Sequence, residues 1–249
     1  MIEFLKSHET ISKIIFASIL FVLFIVAIII AYKLEPVKTR TEKIKKYATI
    51  AIFSAFSVAL FYLRIPFPIF TFLKIQFSNL PAYIIGLMLG PASGLMVVFI
   101  RTMICIPFTS SLCVGEVADL LIGSAAVLTS SIIYLKNKTK RQAGISLMFA
   151  TVSWVVVAMI ANYALLVPLY IQLYFNSNTT AFVHMLSAGA DFINENNYML
   201  IYMILGVIPF NSIISVASSI ITFIVYKRIS TLYKNIGSEE EPLKEDALN

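Results

Sequence analysis

Residues 75–100 read IQFSNLPAYIIGLMLGPASGLMVVFI, 26 residues without a charge, broken near the middle by Gly90-Pro91. A helix needs roughly 20 apolar residues to cross a bilayer. This run exceeds that length, and Gly-Pro is a strong turn signal. The stretch therefore predicts a helical hairpin, 81–89 and 92–106, rather than one long span. Upstream, 47–63 is uncharged over 17 residues and is broken by Arg64-Ile65-Pro66-Phe67-Pro68; an irregular segment runs on to Phe77. Further upstream, 14–32 is uncharged over 19 residues. Downstream come a loop at 107–111, a span at 114–135, and a span at 145–173 with Pro168 near its far end. A polar segment, 175–197, holds Asp191 and Glu195 but no Lys or Arg. The last span lies within 196–226, uncharged over 31 residues.

Composition agrees. Charged residues are 13% of the 249, against about 25% in a soluble domain, and hydrophobic residues are 59%. Mean hydropathy is +0.88. The net charge of +6 does not point to nucleic acid, because the basic residues sit in short loops and at the last helix end and leave no basic face. Cys105 and Cys113 lie around one loop with no C-x-x-C, so they read as small apolar side chains rather than metal ligands or a disulfide. The 14–32 run is longer than a signal-peptide core and no A-x-A-like site follows it, so it reads as a retained anchor helix. Pro36 fits its stop.

Lys and Arg mark the cytoplasmic side of membrane proteins. Lys33, Lys38, Arg40, Lys43, Lys45 and Lys46 form one basic linker, and Lys136, Lys138, Lys140 and Arg141 form a second. Lys227, Arg228 and Lys234 follow the last span. Threading the spans with these segments inside leaves only Arg64 and Lys74 in the outer loops. The expected fold is an all-α integral membrane protein of the cell membrane: six core helices plus one additional N-terminal transmembrane helix. Its N-terminus lies outside and its C-terminus is cytoplasmic. Three regions follow: 1–46, the extra helix and basic linker; 47–228, the six-helix domain; and 229–249, an acidic tail expected to be disordered.

A series of short motifs lies over these spans. In order they are Ala51-x-x-x-Ala55-x-x-x-Ala59, Lys74-Ile75-Gln76-Phe77-Ser78, Gly90-Pro91, Gly115-Glu116-Val117-Ala118-Asp119, Ala161-Asn162-Tyr163 with Pro168-Leu169-Tyr170, and Pro209-Phe210-Asn211. This ordered set resembles the substrate-binding S-components of energy-coupling factor (ECF) vitamin transporters, most of all the riboflavin-type branch, over about residues 47–228.

Each motif also has a reading from its chemistry. Ala51, Ala55 and Ala59 line one helix face. Small residues let helix backbones approach closely in lipid, within this chain or with a partner. The resemblance implies the latter: docking on the transmembrane T-component. Gly86, Gly90 and Gly94, interrupted by the turn, read as internal packing. Glu116 and Asp119 open a helix, where the macrodipole favours carboxylates; polar groups this deep also tend to face a cavity. Asn162 sits mid-helix in an apolar stretch. An unpaired amide there costs a few kcal/mol, so it must face a neighbouring helix or a ligand. Asn211 makes a similar case. The resemblance implies that Asn162, Asn211, Glu116 and Asp119 bind the ligand and that Lys74 and Gln76 belong to a loop folding over it. Two positions depart from the riboflavin branch. Gln76 replaces an acid, and Ile214 stands where that branch usually carries a Lys that reaches the ligand. Arg101, inside a span, reads as a paired structural cation.

The resemblance implies a vitamin-capture subunit for riboflavin or a related flavin, bound as transported ligand and not as a cofactor. Its partners would be a T-component and two ATPases, since the chain carries no GxxxxGK[ST] of its own. Two alternatives stay open: an S-component for another vitamin, such as a thiamine-precursor pyrimidine or pantothenate, and an intramembrane enzyme. The second would need paired catalytic groups at helix ends, where only Glu116 and Asp119 are found, and no catalytic or metal-binding set is expected.

Overall fold

The computed structural model describes residues 39–108 and 114–238, with positions 25, 26, 29 and 33 before them. The expected 14–32 anchor helix, Cys113 and the Glu239-Glu240-Glu241 tail lie outside the described residues or almost wholly so.

Helix α1 is Arg40–Tyr62. It starts seven residues before the uncharged run because Thr39-x-x-Glu42 is a capping box: the Glu42 N–H donates to Thr39 Oγ1 and the Thr39 N–H to Glu42 Oε2, both at 3.3 Å. A short hairpin follows, β1 (Ile65–Pro66) antiparallel to β2 (Lys74–Ile75). Helices α2 (Leu80–Leu89) and α3 (Pro91–Cys105) form the expected hairpin. Gly90 joins them at φ 115°, a conformation that L side chains rarely adopt. The glycine spacing also serves packing: a Cβ on Gly94 would lie 2.6 Å from Val127 Cγ1 and 2.9 Å from Gly86 Cα.

After a 3₁₀ turn at Ile106–Phe108, α4 is Val114–Lys136 and α5 is Lys140–Ala161. A π segment, Asn162–Leu166, joins α5 to α6 (Val167–Tyr174). The polar segment 175–197, between the spans read from the sequence, contains a helix, α7 (Thr179–Ser187). Its signal is Asn178, whose Oδ1 accepts from the Ala181 N–H at 3.0 Å. The short α8 (Tyr198–Ile201), a second π segment (Tyr202–Val207) and α9 (Ile208–Ser238) complete the chain. Helix α9 runs past Lys227-Arg228, so 229–238, expected to be disordered tail, is helical.

Five of the described helical stretches are long and apolar enough to cross a membrane: Arg40–Tyr62, Pro91–Phe108, Val114–Lys136, Lys140–Tyr174 and Tyr198–Tyr233; Leu80–Leu89 is apolar but shorter. The short hairpin helix is the most enclosed, with Ala82, Tyr83 and Ile85 at 0% exposure. Around it, Val97, Val98, Val127, Leu147, Trp154 and Ile214 make one core. Outward-facing positions such as Phe56, Met148, Val152 and Ile224 are apolar and exposed, the pattern of a lipid-facing surface.

Candidate functional site

A cavity of about 350 Å³ opens among the strap 64–77, α4, the α5–α6 junction and the last helix. All six residues read as ligand-binding, Lys74, Gln76, Glu116, Asp119, Asn162 and Asn211, line it. The three alanines do not. Ala51, Ala55 and Ala59 are exposed beside Ile52 and Phe56, while Ser54 and Ser57 on the other side of α1 are buried.

The π segments shape the wall. Each inserts one residue into the helix ladder, a device common at functional sites. Asn162 is the first residue of one and Tyr202 of the other. Asn162 Nδ2 donates back to the Ala158 carbonyl at 2.8 Å, and the Tyr202 hydroxyl is 3.5 Å from Asn162 Oδ1. The Asn162 amide therefore keeps one N–H and a weakly engaged oxygen. Asn211 Nδ2 likewise donates to the Val207 carbonyl at 2.8 Å, while its Oδ1 accepts from Trp154 Nε1 at 2.9 Å. Glu116 is buried in the first turn of α4, where the helix dipole favours its charge. Ile214, at 3% exposure, lines the cavity one turn below Asn211.

Aromatic rings form another part of the wall, beside aliphatic side chains such as Ile122, Leu166 and Val207. Phe72 from the strap stacks on Tyr170 at 5.8 Å and on Tyr202 at 6.0 Å between centroids. Phe182 of α7 meets Tyr170 and Tyr202 edge-on. Trp154 stacks over Tyr83. Apart from Tyr170, which falls in the Pro168-Leu169-Tyr170 motif, sequence reasoning missed these residues, Trp154 included. The available signal was spacing: Ala150, Trp154, Ala158 and Asn162 are four apart and all buried, so one face of α5 leads to Asn162. Trp154→Phe keeps an aromatic ring, though a smaller one, and removes the hydrogen bond to Asn211. It should weaken ligand binding about fivefold, near 1 kcal/mol, in an equilibrium titration of the purified protein.

Under the strap, Arg101 is fully buried and its Nη2 lies 2.9 Å from Asp119 Oδ2. The expected paired cation thus has its partner in the cavity wall. Asn79 Nδ2 donates to Asp119 Oδ1 at 2.7 Å, and Arg101 Nη1 donates to Asn79 Oδ1 at 2.7 Å. A Cβ on Gly123 would come within 2.3 Å of that Asn79 oxygen. The Asn79 side chain is pinned and cannot yield, so Gly123→Ala should cost about 1–3 kcal/mol, read as a lowered unfolding temperature in detergent. Among the described residues, no group of three or more His, Cys, Asp or Glu could hold a metal ion.

Residues 45–226 match the family described as ECF transporter, substrate-specific component. The riboflavin transporter RibU of Staphylococcus aureus (strain TCH60) is 28% identical over 200 residues, covering 80% of this chain and 97% of that one. The riboflavin transporter FmnP of Bacillus subtilis (strain 168) is 25% identical over 191 residues, covering 75% and 93%. A solved structure of the S component of a bacterial ECF transporter superposes with a TM-score of 0.61 at 25% identity, covering 77% of this chain and 99% of that one.

Proposed function

The chain belongs to the substrate-specific components of ECF transporters, and we propose that it captures riboflavin or a closely related flavin within a multi-pass membrane domain. The observation that carries this reading is the cavity, whose size falls in the range of small-molecule sites, about 300–1,000 Å³. A flavin is a planar ring system with a polar imide edge, an apolar benzenoid edge and a hydroxylated chain. Asn162 and Asn211 offer amides suited to carbonyl and N–H groups, and Trp154, Tyr170, Tyr202 and Phe72 offer ring faces. Both relatives described above are riboflavin transporters.

In this reading Lys74 and Gln76 close over the ligand from the strap, and Glu116 faces its polar side. The exposed Ala51–Ala55–Ala59 face docks on a T-component, and two ATPases supply the energy. The strap faces outside, and the Lys136–Arg141 turn and the end of α9 face the cytoplasm. The N-terminus is outside.

One observation favours a different vitamin. Ile214 puts an apolar side chain in the cavity, at the place where the resemblance implies that the riboflavin branch usually has a Lys; this removes a charged contact and suits a ligand with less acceptor character there. Mass spectrometry of the small molecule released on denaturing the purified protein decides between them. A flavin, with its yellow absorbance in the preparation, is the expected result; another vitamin overturns the flavin reading and keeps the family.

A further inference from the structure

Asp119 lines the cavity, yet the contacts of its carboxylate run to the root of the strap and to Arg101. Asn79 Nδ2 donates to Oδ1 at 2.7 Å, Ser78 Oγ and Gln76 Nε2 approach Oδ2 at 3.3 and 3.5 Å, and Arg101 Nη2 lies 2.9 Å from Oδ2. An ionised carboxylate has about four lone-pair sites, and most of those in use here serve the protein rather than the open cavity. Gln76, Ser78 and Asn79 all belong to the segment that leaves the strap and enters α2. Arg101, from α3, grips the same segment again: Nη1 donates to Ser78 Oγ at 3.0 Å and to Asn79 Oδ1 at 2.7 Å. Asn79 stands at the N-cap of α2, but its side chain makes no cap bond; its amide is engaged by the two charged groups instead. From α1, Ser57 Oγ donates to the Ser78 carbonyl. Three helices thus converge on the root of the strap.

We infer that the buried Arg101–Asp119 pair is the anchor that holds the strap 64–77 over the cavity, making both residues positioning residues for ligand retention and Asp119 no ligand contact. The inference rests on reading the cavity as the ligand site. Gln76 sits between anchor and cavity: its Nε2 turns to Asp119, and its Oε1 has no partner among the described residues.

The pair's energetics supply the test. Removing one member of a buried pair strands a charge, whereas replacing both by apolar side chains of similar volume is often neutral for the fold. The variant is therefore Arg101→Met with Asp119→Leu, in the full chain. In the ligand-free protein, amide hydrogen exchange across 64–77 should quicken about tenfold while α4 and α5 stay protected. Riboflavin should dissociate about tenfold faster with its association rate within about threefold of the parent. Unchanged strap exchange in the folded variant overturns the anchor and leaves the flavin reading standing. Faster strap exchange, with no riboflavin binding to the parent protein, supports the anchor and overturns the flavin reading. Should the variant not fold, Ser78→Ala cuts a strap-side link to both Asp119 and Arg101 and leaves the ion pair intact. In that protein without ligand, faster strap exchange supports the anchor, and unchanged strap exchange overturns it.

Discussion

Ala55→Trp is expected to abolish assembly with the T-component, and with it uptake in cells, while the isolated subunit should keep its ligand affinity within about threefold, below roughly 0.7 kcal/mol. Two features lead to this result. Ala51, Ala55 and Ala59 form an exposed stripe on α1, and small residues let a second helix approach at backbone distance. An indole in the middle of the stripe prevents that approach. The other side of α1 carries the internal contacts, with Ser54 and Ser57 buried, so the substitution does not reach the cavity. A pull-down against the T-component, beside a ligand titration of the same protein, separates the two effects. Intact assembly together with lost affinity would show that the stripe packs inside this chain and would remove the docking assignment.

The second large effect is at Asn162. Asn162→Leu should lower ligand affinity by about 1–3 kcal/mol, on the order of 5- to 150-fold, because a polar group of the ligand is left unpaired. The fold should survive. The lost internal contacts are one bond back to Ala158 and a long one from Tyr202, and leucine suits an apolar helix. Isothermal titration beside thermal unfolding reads both quantities. Unchanged affinity with lowered thermal stability would mean that the amide serves only the α5–Tyr202 contact.

The parts of this fold that the sequence announces are those with local causes. Gly90-Pro91 breaks an uncharged run, and the structure turns there at a glycine with positive φ. Thr39-x-x-Glu42 starts α1 earlier than hydropathy alone suggests, a capping signal masked by the basic residues around it. Helix α7 hides for the opposite reason: nine residues in a polar, asparagine-rich segment look like a loop until the Asn178 cap is noticed. The cavity is legible in part. Polar residues stranded in apolar helices, Asn162 and Asn211, stand out because lipid leaves them few partners. Trp154 and Tyr202 do not, since aromatic rings in a membrane helix carry no signal by composition alone. The π segments that turn Asn162 and Tyr202 inward leave no mark on a periodicity of 3.6. The pairing of Arg101 with Asp119 spans two helices, and spacing along one chain cannot choose such a partner.

The central claim, capture of a flavin in the Asn162–Asn211 cavity, is tested most directly by titrating riboflavin with the purified protein and following flavin fluorescence. Enclosure among Trp154, Tyr170 and Tyr202 predicts saturable quenching at equimolar flavin, reduced in affinity by Asn162→Leu. Absence of quenching and of binding by riboflavin and its phosphorylated forms, with saturable binding of another vitamin, would contradict it.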